Sequence, residues 1–295
     1  MQFENFKNFV KAGLEKVYGE GNVELTEVTK NNGVKLPAVT VKTGKSFSPI
    51  VYLNWYFSEY KNFPEDAVKA MVEAINESLD RDIVKTVNGI NDFDTVKDCI
   101  VFEVVNGKNE IAVKTPIPET DLCKVYRIQF ELDDNTKGST IITPPMLKTW
   151  KKSVEEIDAI ATENTLQKYP AVVGGVWSMI KSTGLYPEMD IPDISDFYDE
   201  PMLVITNSER KAGASVMAYP GLETFKEISE VWEEDLYILP CSIHEVIVVK
   251  QSKGTPNWLL QMVTSVNREE LSPEDKLSDS VYEYTRKEKK IKKIA

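Results

Sequence analysis

In MQFENFKNFVKAGLEKVYG, the opening stretch, Phe3, Phe6, Phe9/Val10, Leu14 and Val17 recur at helical spacing. That predicts an amphipathic helix stopping near Gly19 and Gly21. Alternation then takes over. Val23–Val28 reads VELTEV, and Val34–Thr43, entered through Asn-Asn-Gly, makes a hairpin with it. Pro49–Leu53 is a short third strand. Pro64 opens the helix PEDAVKAMVEAINESLD, with acids in its first turn and an apolar stripe of Val68, Met71/Val72, Ile75 and Leu79. Val96–Val105 is readable as strand or helix. Tyr126–Leu132 (YRIQFEL) alternates cleanly and turns through DDNTKG into Ser139–Thr143. Pro145–Trp150 is helical. Ser153 with Glu156 forms a capping box that opens SVEEIDAIATENTLQKY. Ala171–Lys181 reads as a further short helix, weakened by Gly174 and Gly175.

Residues 183–201, TGLYPEMDIPDISDFYDEP, keep no period and mix prolines with acids, which suits a linker or long surface loop. Beyond it, Met202–Thr206 is a strand, with Ala214–Tyr219 as its expected partner across NSERKAG. Leu222–Trp232 is a helix showing Leu222, Phe225, Ile228/Ser229 and Trp232 on one face. Asp235–Leu239 and Ile243–Lys250 form a hairpin around Pro240-Cys241-Ser242. Pro256 opens a helix to Asn267, Ser272-Pro273-Glu274 starts a helical turn, and Ser280–Tyr284 is a last strand. The tail KEKKIKKIA reads as a frayed, solvated end. The expected fold is α+β: antiparallel β-hairpins packed with helices in two lobes, 1–182 and 202–295, joined by 183–201. The short turns between strand pairs exclude the crossovers of a parallel sheet.

Composition narrows the function. Hydrophobic residues at 42% can supply a core. A net charge of −12 disfavours wrapping on nucleic acid or anionic lipid, both of which demand clustered Lys/Arg. It leaves open a basic protein partner, or an acidic anti-defence protein that mimics DNA. Cys99, Cys123 and Cys241 are dispersed and odd in number, which points to reduced thiols. The N-terminus carries no cleavage signal, and the apolar runs are too short for a membrane span. A cytoplasmic protein without a membrane anchor is expected.

Several stretches together resemble one family. TNSERKAGASVMAYPG, DLYILPCSIHEVIVV and LSDSVYEYTR, with NNGVKL and SPIVYLN earlier, are similar in order to the domain-of-unknown-function 5688 family of bacterial proteins. The resemblance spans nearly the full chain and implies no assigned activity. It implies Ser where this chain has Cys241, a departure that weighs against a cysteine nucleophile. In element order alone, the first half is similar to secretion-chaperone-like domains, a likeness that carries no chemistry.

The hairpin loop holds the one histidine and the densest chemistry: Cys241, Ser242, His244 and Glu245. A hydrolase or transferase would use Ser242 or Cys241 as nucleophile and His244 as base, with an acid to orient it. Strand alternation would point His244 and Glu245 to opposite faces, which opposes that role for Glu245. There is no Gly-x-Ser-x-Gly elbow, no nucleotide-binding glycine pattern and no metal spacing. Asp193, Asp196, Asp199 and Glu200 lack the EF-hand arrangement and read as solvated acids. No metal or other cofactor is expected. Asn207 and Arg210 sit in the polar NSERKAG loop, where Arg210 is suited to grip a partner carboxylate. Asn207, Arg210, Ser242, His244 and Glu245 are thus candidate binding residues. The dense aromatics Tyr52, Trp55, Tyr56, Phe57, Tyr60 and Phe63 cannot all share one helical face, so some must be exposed. A non-enzymatic protein-binding or adaptor module is the favoured expectation, and the Ser242/Cys241–His244 enzyme is the alternative.

Overall fold

The computed structural model describes residues 1–44, 48–80, 89–133, 136–175, 199–240 and 242–295. The chain divides into two compact units, Met1–Val96 with Gln129–Ser139, and Lys97–Ile128 with Thr140–Ala295.

In the first unit, α1 (Phe3–Tyr18) ends where Gly19 takes φ +97° and donates its N–H to Glu15 O, as the glycine signal predicts. The hairpin of β1 (Val23–Thr29) and β2 (Lys35–Val41) pairs Val23 with Val41 and Thr29 with Lys35, and β3 (Ile50–Tyr52) adds to β2. Asn32 and Gly33 both adopt positive φ in the connection. Helices α2 (Leu53–Tyr60) and α3 (Pro64–Asp80) follow. Phe6, Val10 and Leu14 of α1 meet Val39, Val41, Leu53, Met71 and Ile75 in one core. Burying each such side chain is worth about 1.5–3 kcal/mol, so the α1 stripe alone accounts for its docking.

The second unit holds a six-stranded antiparallel sheet and strands of a four-stranded one. The uncertain stretch near 100 is a strand, β4 (Ile100–Asn106), buried at five of its seven positions. It pairs with β6 (Leu122–Asp133), which also takes β5 (Lys114–Pro116) and β7 (Thr136–Ile141). Of these four strands, β6 and β7 also include residues of the first unit. After α4 (Pro144–Trp150) comes α5 (Val154–Lys168), opened by the predicted capping box. Glu156 N donates to Ser153 Oγ at 3.2 Å, and Ser153 N donates to Glu156 Oε2 at 2.9 Å.

The six-stranded sheet runs β13-β12-β10-β11-β9-β8. Its members are β8 (Ala171–Gly175), β9 (Met202–Asn207), β10 (Leu236–Leu239), β11 (Val246–Lys250), β12 (Tyr282–Thr285) and β13 (Lys290–Lys293). Helices α6 (Glu223–Trp232) and α7 (Pro256–Glu269) cover opposite faces. Leu259 and Val263 of α7 pack on Tyr237, Leu239 and Val249. Phe225 of α6 stacks on Tyr284, which is paired with Leu236 and so lies on the other face. With both faces covered, β10 reads Leu-Tyr-Ile-Leu without a polar position.

Four expectations are corrected. Residues 171–175 form strand β8 and no helix: Val172 and Val173 suit an extended chain, and β8 pairs with β9 from Ala171↔Asn207 to Gly175↔Leu203. Gly213–Ala218 is a 3-10 helix, and the neighbours of β9 are β8 and β11 instead. The strand expected from Ile243 begins only at Val246. The basic tail is not frayed, since Lys290–Lys293 pairs with β12 and buries Ile291. Of the 183–201 stretch, residues 183–198 lie outside the described residues, and β8 before it pairs with β9 after it.

Candidate functional site

The hairpin β10–β11 forms as expected, with Leu236 opposite Lys250 and Leu239 opposite Ile247. Its connection, 240–245, is pinned to the segment before β12. Ile243 N donates to Asp275 O at 2.8 Å, Ser278 N donates to Pro240 O at 3.2 Å, and Ser242 forms an isolated bridge with Lys276. Because Ser242–Glu245 precede the strand, the opposite-face argument for His244 and Glu245 does not apply to them.

His244 lies at the centre. Its Nδ1 accepts the Ala212 backbone N–H at 3.2 Å, so the ring proton sits on Nε2, which faces Asp275 Oδ1 at a long 3.3 Å. Asp275 is held in turn by the Ser272 hydroxyl at 2.7 Å. The backbone of His244 is used as fully. Its N–H donates to Ser242 Oγ at 2.9 Å, and its carbonyl accepts the Thr206 hydroxyl at 2.7 Å. The Ser242 hydroxyl also bonds the Glu245 carboxyl. Burial pushes the Glu245 carboxyl up, as does Asp275, against the opposing pull of His244 and Ser242.

Among the described residues, Ser242 and His244 are not set against each other as nucleophile and base. The lone pair of Nδ1 is taken by Ala212, Nε2 is directed to Asp275, and Ser242, 2% exposed, takes its bond from the His244 backbone. Cys241 lies outside the described residues. Cys123 is buried, which raises its thiol, and Cys99 is half-buried. Among the described residues no three or more His, Cys, Asp or Glu side chains gather as a metal set, and no helix is long and apolar enough to cross a membrane.

The cluster instead builds a loop. Asn207, at the end of β9, takes the N–H groups of Glu209 (3.1 Å) and Lys211 (3.3 Å) on Oδ1 and donates Nδ2 to Lys211 O at 2.8 Å. Arg210 and Ala212 both sit at positive φ, +52° and +51°. Gly213 is packed so closely that a Cβ would stand 2.2 Å from His244 O. The resulting loop exposes Ser208, Glu209, Arg210 and Lys211 on a fixed base. The structure thus brings Asn207, Ser242, His244 and Glu245 into one neighbourhood, with Arg210 at its rim. Asp275, Ala212 and Thr206, bonded to His244, and Gly213, packed against its carbonyl, complete it and were missed, because these contacts join residues some 31 to 38 positions apart. Away from this cluster, Tyr56, Phe57 and Tyr60 pack on the first unit's core while Trp55 and Phe63 stand exposed, as the crowding of that run requires.

Comparison with known proteins adds a family. A family model described as Family of unknown function (DUF5688) matches residues 3–286. The chain belongs to this family. No curated protein and no solved structure matches it. Both segments of the His244 cluster, 206–213 and 242–245, fall inside the DUF5688 match, as does Asp275.

Proposed function

We propose that this DUF5688 chain is a non-enzymatic protein-binding module that presents the loop Ser208–Lys211 to a partner. The observation that carries the reading is the occupation of both His244 ring nitrogens, Nδ1 by the Ala212 N–H at the end of this loop and Nε2 by the Asp275 carboxylate. An imidazole so engaged has no free lone pair for proton abstraction, whereas a charged loop held before binding loses little entropy when a partner docks. Arg210, exposed on that loop, supplies a planar fork for a partner's carboxylate. The test is affinity capture with the tagged chain at low salt. A partner recovered at one-to-one stoichiometry supports the reading, and recovery of none opposes it.

A further inference from the structure

A second place on the second unit gathers positive charge in a chain whose net charge is −12. Strands β12 and β13 are joined by the four-residue turn Arg286–Lys289, with Thr285 opposite Lys290. This turn, together with α6, walls a cleft of about 340 Å³ lined by Lys226, Ser229, Glu230, Tyr284, Arg286, Lys287 and Lys289. That is the size of a small-ligand pocket.

Four of those seven residues are cationic. Lys226 is partly neutralised by Glu223 at 2.9 Å. Arg286 donates one guanidinium N–H to Glu233 O at 2.8 Å, which fixes the head and leaves further donors. Among the described residues, Lys287 and Lys289 have no ion-pair or hydrogen-bond partner for their ammonium groups. Lys289 is held at φ +53° by its N–H bond to Thr285 O.

Tyr284 makes the cleft more than a charged surface. Its side chain is fully buried, yet its hydroxyl has no hydrogen-bond partner. A buried hydroxyl without a partner costs free energy, and native proteins keep few of them. Burial, with the charges of Glu223 and Glu230, raises the phenol and holds it as a donor. The cleft therefore offers one buried donor and several cations, with one carboxylate, Glu230, in its lining and those of Glu223, paired to Lys226, and Asp235 close by.

We propose that this cleft binds a small phosphate-bearing molecule, whose oxygens are met by Arg286, Lys287, Lys289 and the Tyr284 hydroxyl. Glu230 then receives a hydroxyl of the same molecule. Nothing in this site depends on the loop Ser208–Lys211, so the two readings fail independently.

The probe is inorganic pyrophosphate, titrated calorimetrically into the full chain at low salt, with citrate as the control anion. Saturable one-site binding is expected. K287Q/K289Q, confined to the exposed turn, should weaken it about tenfold through two lost charged contacts. Y284F should weaken it about two- to tenfold through one lost hydrogen bond, while melting no lower than wild type. Absence of saturable heat overturns the proposal, as does an affinity unchanged in both variants. Citrate binding as tightly as pyrophosphate overturns the assignment to phosphate.

Discussion

The Nδ1 atom of His244 accepts the backbone N–H of Ala212 at 3.2 Å, tying together two loops 32 residues apart. Ala212 is at φ +51°, a region that costs an ordinary side chain about 1–2 kcal/mol. The histidine thus holds a backbone shape the chain would otherwise leave. H244A should lower stability by about 1–2 kcal/mol through the orphaned N–H and should speed amide exchange at Glu209–Ala212. Urea melts and hydrogen exchange read the two effects, and unchanged exchange in this loop would remove the clamp from the account.

Gly213 lies beneath the same bond network. An added Cβ would meet His244 O and Thr206 Oγ1, each at 2.2 Å, and Thr206 Cα at 2.9 Å. These are mainly backbone and short-side-chain atoms with little freedom to yield. G213A is expected to destabilise by about 3 kcal/mol or to misplace the loop. A thermal melt within a degree or two of wild type would show that the approach is looser than described.

Asp121 anchors the other end of the 275–282 segment. It accepts hydrogen bonds from the hydroxyls of Tyr282, Ser280 (3.1 Å) and Ser278 (3.4 Å) and pairs with Lys293 at 2.9 Å. Burial pushes its carboxyl up, but Tyr282, Lys293 and Ser280 outweigh burial and leave it below the usual range. Its stabilisation is therefore complete above the unfolded carboxyl's pKa of about 3.9, and is lost as pH falls through the lower folded value. D121N should cost about 2 kcal/mol at neutral pH and flatten the acid limb of stability. Urea midpoints taken from acid to neutral pH measure both.

Glu245 has the opposite sign. Its carboxyl is raised by burial first, so its contribution is fully present below an unfolded pKa of about 4.3 and is lost as pH rises through the folded value. E245Q stays neutral and should be at least as stable as wild type at pH 8, with no advantage at pH 4. Equal deficits at both values would mean that the Ser242 bond, and not the buried charge, sets the role of Glu245.

The elements themselves were largely legible. The Ser153–Glu156 box, Pro64 at the start of α3 and the alternation of β6 are local signals acting within a turn or two, and each appears where the pattern places it. What escaped was set at long range. KEKKIKKIA holds a strand because Tyr284 opposite Ile291 offers a buried neighbour, and Ala214–Tyr219 coils because Gly213 must pass close to Thr206 and His244. Both facts require the sheet to be in place first. The site was half legible. Its histidine and serine could be found from their types, but the tautomer of His244 depends on Ala212 and Asp275, which no spacing links to it.

The central claim is that the Ser208–Lys211 loop binds a protein and that Ser242 and His244 serve it without catalysis. The most direct measurement is parallel affinity capture with wild type, R210E/K211E and S242A, scored by the molar ratio of co-purified partner. The account predicts a one-to-one partner with wild type, loss of at least about tenfold with R210E/K211E, where attraction becomes repulsion, and a smaller loss with S242A, which removes only one support of His244. A partner held equally by R210E/K211E, or no stoichiometric partner at all, would contradict it.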